Sequence, residues 1–178
     1  RLPVGSSPHR TASAMPSAAD FWGRAEMHSA EQQLAVIGFA GIPVGDRPKS
    51  RLVVTDAALG SLEAKFRSRG HLPPGDEPTI GLMHPAAAFE SKQWATEHFA
   101  ETARHLTERG LRPVAVAAKH EAEILKKLTA ISAVPIITFD DLTLPEITAL
   151  ASRSRIFVGN DSGIAHIAAA VGTPSVVV

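Results

Sequence analysis

The sequence predicts an α/β fold, a Rossmann-like doubly wound parallel sheet, on three observations. From residue 79 onward short apolar stretches alternate with longer stretches of helical period. The short stretches are apolar throughout rather than at every second residue, which is the pattern of strands covered on both faces. Helix punctuation falls where that alternation requires it, with Gly70, Gly110 and Gly172 closing helical stretches and Thr143-Leu144-Pro145-Glu146 opening one.

Taken in order, residues 1–20 are rich in Ser, Pro and Ala without an apolar period and read as a linker. A short helix is expected over 28–39, ended by Gly41-Ile42-Pro43. Residues 51–55, Arg-Leu-Val-Val-Thr, read as a strand, and a helix follows from Asp56, its expected N-cap, to Gly70. Residues 71–78 are a loop. Strands are then expected at 79–84, 114–117, 135–139, 155–158 and 175–178. Between them lie helices at 94–109, with Trp94, Phe99, Ala103 and Leu106 on one side, and at 121–129, with Ile124, Leu125 and Leu128 as its stripe. The capping box opens a helix to about residue 153, with Pro145 in the first turn where its missing N–H costs nothing. The last helix spans 162–171. Ligands of such sheets sit at the carboxyl ends of the strands, so loops 84–93, 117–121, 139–143 and 159–162 should share one rim.

Bulk properties bound the function. The chain has 178 residues, with 18 basic and 18 acidic side chains, so no global field points to nucleic acid or an anionic surface. Any anion must be bound locally. The absence of cysteine excludes disulfides and thiolate metal sites, and cytoplasm is the default compartment. No apolar run approaches the ~20 residues of a membrane span, and the first residues lack the apolar centre of a signal peptide; peripheral membrane association stays open. Both ends read as cut, since the final strand stops without a turn, and a fragment is the expectation.

The triplet Asp161-Ser162-Gly163 is the first candidate site. An aspartic protease would carry such a triplet in an all-β setting, whereas Ile164, Ile167, Ala168 and Val171 follow here at helical spacing. A Ser162/His166 hydrolase lacks the G-x-S-x-G elbow, and residues four apart on one helix do not place a base behind a hydroxyl. What remains is a helix N-terminus at a strand's carboxyl end. Asp161 would be the N-cap, Ser162 and Gly163 would leave backbone N–H groups open to a phosphate-like anion, and His166 would stand near the mouth. The plainer alternative is a simple cap and a satisfied core histidine.

Lys92, in the loop 84–94, could place a point charge on a diphosphate, although a loop lysine is most often merely solvated. Glu121 or Glu123, after the strand at 114–117, could accept ribose hydroxyls or simply complement a helix dipole. Neither a Walker A pattern nor G-x-G-x-x-G occurs, and the eight histidines show no H-x-x-x-H or H-E-x-x-H spacing, so no metal site is expected.

Taken together, His84-Pro85, Lys92-Gln93-Trp94, Glu97-His98-Phe99-Ala100, the capped segment 142–146, the block from Gly159 to Ala170 (GNDSGIAHIAAA) and Gly172-Thr173-Pro174 occur in an order that resembles the family-9 glycosyltransferases, the heptosyltransferases of lipopolysaccharide core synthesis. The resemblance covers about residues 25–178. It implies the C-terminal half of a GT-B fold, the Rossmann-like domain that holds the nucleotide-sugar donor, with the N-terminal domain largely absent. Residues 1–27 would then be a linker or remnant of that domain, 28–78 an interdomain helix and first βα elements, and 79–178 the donor-binding domain.

By the same resemblance Lys92, Asp161, Ser162, Gly163 and His166 hold the donor diphosphate and Glu121 the ribose. The usual donor is ADP-heptose, the acceptor a lipid-linked saccharide at the inner face of the inner membrane, and the transfer is independent of metal and cofactor. The family's catalytic aspartate belongs to the N-terminal domain and has no counterpart here, so the fragment alone is expected to be inactive. One departure is Ala86-Ala87-Ala88, where the family often has hydroxyl residues; side-chain donors to phosphate are lost there, although backbone N–H groups could serve. Two other readings remain: a nucleotide-binding module without transferase activity, and a GT-B nucleotide-sugar epimerase, which would select UDP over ADP.

Overall fold

The computed structural model describes residues 29–44, 50–75, 79–87 and 89–178. The readings of 1–27, of 76–78 and of Ala88 lie outside these. The chain divides into two units, Arg1–Pro48 and Lys49–Val178. In the first, helix α1 (Ser29–Phe39) is followed by a turn at Gly41, as expected from Gly41-Ile42-Pro43.

The second unit is built on five parallel strands, β1 (Ile80–His84), β2 (Arg112–Val116), β3 (Ile137–Phe139), β4 (Ser154–Gly159) and β5 (Ser175–Val177). They lie in the order β3-β2-β1-β4-β5. Leu82 pairs with Val114 on one side of β1 and with Phe157 on the other. The chain therefore builds outward from β1 to β3, then returns to start again at β4. Between β1 and β4 the strand order reverses, and their carboxyl ends flank the crevice in which α/β sheets bind ligands.

The helices are α2 (Asp56–Ser68), α3 (Thr96–Glu108), α4 (Ala122–Ile131), α5 (Leu144–Ser152) and α6 (Gly163–Ala170). Successive strand side chains point to opposite faces, and here both sets are apolar. Leu82, Val114, Val116 and Phe157 join a core with Leu62 and Phe66 of α2, Leu150 of α5 and Ala168 of α6. Met83, Ala115 and Val158 join a second with Phe99, Ala103 and Leu106 of α3 and Leu125 and Leu128 of α4. Full burial of each large side chain contributes about 1.5–3 kcal/mol. Close approach is needed at Gly159, where a Cβ would stand 2.5 Å from the fully buried Phe157 ring and 3.1 Å from the His84 carbonyl oxygen.

Two expectations near residue 55 are corrected. Residues 51–55 are not a strand: Val53 is 84 % exposed, and the Leu52 N–H donates to the Ala170 carbonyl at the end of α6 (3.3 Å) rather than to a neighbouring strand. The β-branched run suits a strand, but it passes over a helix end, where no ladder partner exists. The N-cap of α2 is Thr55, not Asp56; its side chain accepts from the Ala58 N–H at 3.2 Å. Ala58, Leu62 and Phe66 then recur at four-residue intervals, so the helix buries one stripe on the sheet.

The predicted capping box of α5 is present and does more than cap. Glu146, 3 % exposed, accepts from the Thr143 N–H (2.7 Å), the Thr143 hydroxyl (2.9 Å), the Ser61 hydroxyl (2.6 Å) and the Lys65 ammonium (2.9 Å). One carboxylate thus ties α5 to α2. Arg69, just after α2, adds a bond to Asp141 and stacks over the Phe139 ring. Helix α2 accordingly belongs to the sheet unit that begins at Lys49.

Candidate functional site

At the switch point the loop after β1 meets the turn between β4 and α6. Asn160 joins them. It is fully buried, and its amide Nδ2 donates to the Pro85 and Ala86 carbonyls (2.9 and 3.3 Å), while Oδ1 accepts from the Trp94 N–H (2.9 Å). Its own backbone N–H donates to the His84 carbonyl at 3.3 Å. Helix α3 begins at Thr96, two residues later than the apolar period predicts, because its N-cap Ala95 is still extended (φ −61°, ψ 138°). Trp94 itself stacks on His98 and meets Phe99 edge-on, which fixes the end of the loop against α3.

The loop thus held presents Lys92, in a single 3-10 turn (Glu90–Lys92), to Asp161. Their ammonium and carboxylate lie 2.8 Å apart with both side chains about half exposed. The Lys92 hydrogen bond and charge hold the Asp161 carboxyl below its ordinary range, and the His166 ring adds to this. Asp161 is therefore not the N-cap of α6, as the sequence suggested. That position is Ser162, whose backbone is extended (φ −153°, ψ 168°) and whose side chain makes no capping bond. A carboxylate beside a lysine satisfies itself there instead of folding back on the helix.

Ser162 Oγ is buried and has no hydrogen-bond partner among the described residues. Buried hydroxyls are almost always paired, and within this fold the Ser162 hydroxyl is an exception. Beside it, a Cβ added to Gly163 would meet nothing within 4 Å. The first N–H groups of α6 have no intrahelical acceptor and carry the positive end of the helix dipole. His166, one turn in, is exposed, which disposes of the core-histidine alternative. Ser162→Ala is expected to leave the melting temperature unchanged or slightly higher, because no bond is lost with the hydroxyl; differential scanning calorimetry measures this.

Glu121 lies on the same rim after β2. Its Oε2 accepts from the Ala118 N–H at 3.0 Å, which shapes the 3-10 turn Lys119–Glu121 ahead of α4. The other expected carboxylate, Glu123, is exposed and pairs with Lys126 at 2.6 Å. Between Glu121 and Asn160 stands His84, which sequence reasoning gave no role. Its Nδ1 lies 2.8 Å from the Val116 carbonyl oxygen, and since a carbonyl only accepts, Nδ1 carries the proton. Burial lowers its pKa, outweighing the Val116 bond and the Glu121 charge, which raise it. The ring is neutral at pH 7, and Nε2 keeps a lone pair. Among the described residues no group of three or more His, Asp or Glu is placed to hold a metal ion.

Lys92 on the loop after β1 thus meets Asp161 on the β4–α6 turn, Ser162, Gly163 and His166 follow at the cap and in the first turns of α6, and Glu121 stands on the loop after β2. The residue missed from the sequence is Asn160. Its only signal is its place, a polar residue between the last residue of an apolar strand and a helix cap.

Residues 46–178 match the family model for glycosyltransferase family 9 (heptosyltransferase). The chain belongs to this family. A lipopolysaccharide core heptosyltransferase, OpsX of Haemophilus influenzae, is 33 % identical over 96 residues, 52 % of this chain and 28 % of that protein. Among solved structures, a family-9 glycosyltransferase of Veillonella parvula superposes with a TM-score of 0.73 at 20 % identity, covering 86 % of this chain and 44 % of its own. The E. coli heptosyltransferase WaaC with ADP-2-deoxy-2-fluoro heptose gives 0.58 at 21 %, covering 85 % and 45 %. This family-9 chain spans less than half the length of each, and its fold is the Rossmann-like half of a GT-B glycosyltransferase.

Proposed function

We propose that this family-9 chain is the donor-binding half, residues 79–178 with the α2 segment packed on them, of a glycosyltransferase that moves a heptose from ADP-heptose to a lipopolysaccharide core acceptor. The observation that carries the reading is a convergence. The Lys92 ammonium, the open first turn of α6 at Gly163 and the unpaired Ser162 hydroxyl meet at the switch point of the sheet, and all are donors. A diphosphate matches them in sign and in number of acceptors.

In that role Asp161 orients Lys92 rather than acting as acid or base. Lys92, His166 and the α6 dipole stabilise the charge that develops on the departing nucleoside diphosphate. Glu121, already bonded to one backbone N–H, has a second carboxylate oxygen for a ribose hydroxyl. The catalytic base lies in the other half of the enzyme, as does most of the acceptor surface, and the assembled protein works at the cytoplasmic membrane face. Among the described residues no helix is long and apolar enough to cross a membrane.

Isothermal titration of the chain with ADP and with UDP tests the reading. ADP is expected to bind at least ten times more tightly than UDP. The reverse order would favour an epimerase, and no binding of either would remove the donor-site reading.

A further inference from the structure

Between β1 and α3 the described residues, 85–87 and 89–94, join no ladder and hold only the 3-10 turn Glu90–Lys92, so Lys92 near the far end must be placed against a turn that belongs to another strand. A lysine on such a loop would sweep a wide volume, and ordering it only on binding would weaken affinity. Asn160 removes that freedom. It grips the loop at both ends, at Pro85 and Ala86 where it leaves β1 and at Trp94 where it enters α3. Lys92 is two residues from the Trp94 grip, a backbone reach of at most about 7 Å. Asp161, which receives the lysine, is the residue next to Asn160 itself. One end of the Lys92–Asp161 pair is therefore held through the Asn160 side chain and the other through its backbone.

The chemistry of the grip admits only a carboxamide. The Trp94 N–H is a donor and must face the side-chain oxygen, whereas the Pro85 and Ala86 carbonyls are acceptors and must face the NH2 group. Aspartate has the same shape but would turn an oxygen toward two carbonyl oxygens. Serine has one hydroxyl for three partners.

We infer that Asn160 is a positioning residue for nucleotide binding, acting through Lys92 by clamping the 85–94 loop onto the β4–α6 turn. This rests on the donor-site reading above. The test uses the full chain as wild type, Asn160→Asp, Asn160→Ser, Lys92→Ala and the two double variants, with ADP as the probe in titration calorimetry. Amide hydrogen exchange is followed at Trp94 and at the sheet. The Asn160 variants are expected to keep slow exchange in β1, β2 and β4, to lose it at Trp94, and to bind ADP at least ten times more weakly. In the Lys92→Ala background the same changes should cost less than twofold, because the group they position is gone.

Affinity within twofold of wild type, or a full tenfold loss that persists without Lys92, would overturn the inference. If the wild type itself fails to bind ADP, the donor-site reading falls and the exchange data decide the clamp: protection lost only at Trp94 supports it, and protection retained refutes it. Should Asn160→Asp fail to fold, Asn160→Ser carries the same comparison, since it removes atoms rather than opposing charges.

Discussion

Replacing Glu146 with alanine is expected to destabilise the sheet unit by about 3 kcal/mol, the largest effect of any single polar substitution proposed for this chain. The carboxylate is buried and accepts four hydrogen bonds, from the Thr143 N–H and hydroxyl, the Ser61 hydroxyl and Lys65. Removing it strips the N-terminus of α5 of its box, about 1 kcal/mol by itself. It also leaves Lys65, whose side chain is 26 % exposed, without its nearer anion, and parts α5 from α2.

The pH dependence has a definite sign. Burial would raise the Glu146 pKa, but the bonds from Ser61, Thr143 and Lys65 outweigh it and bring it down to about 2 from 4.5. A depressed carboxyl pKa contributes stability above the unfolded value, and that contribution is lost as pH falls from about 4.5 toward 2. Urea unfolding of wild type and Glu146→Ala at pH 7, 4.5 and 3 should therefore show the two curves drawing together in acid. Parallel loss at every pH would mean that packing, not the carboxylate network, joins the helices.

Lys92→Ala should weaken ADP binding about 10- to 100-fold, the range for loss of a charged hydrogen bond to phosphate, with no measurable change in melting temperature. Stability is spared because the ion pair with Asp161 is about half exposed and screened by solvent. Binding suffers twice. The diphosphate loses an ammonium, and Asp161, whose charge Lys92 compensates, is left to repel the phosphates. Adding Asp161→Asn to Lys92→Ala should accordingly restore part of the lost affinity. Titration calorimetry on the wild type and the two variants checks this. Unchanged affinity in Lys92→Ala removes the site assignment.

Much of this was legible because it depends on period and punctuation. The apolar runs at 79–84 and 114–117 report strands covered on both faces, and the Thr143–Glu146 box reports a helix start, because each depends on neighbours in the chain. The strand expected at 51–55 failed for the opposite reason: whether a β-branched run finds a ladder partner is decided by the fold, and here its neighbour is the end of α6. The site shows the same division. Lys92 and the Asp161-Ser162-Gly163 turn can be picked out by residue type. That Asp161 would turn toward Lys92 and leave the cap to Ser162 depends on a contact across 69 residues. The role of Asn160, which the sequence shows only as part of the 159–170 block, was hidden in the same way, since its three partners lie 66 to 75 residues away.

The solitary Ser162 hydroxyl sets the demands of folding against those of recognition. The hydroxyl makes no bond that alanine would lose, so the fold of this turn does not depend on it. On the proposed donor-site reading, a mutational scan scored by expression or thermal resistance would pass over residue 162 as tolerant, and only a scan scored by ligand occupancy would single it out.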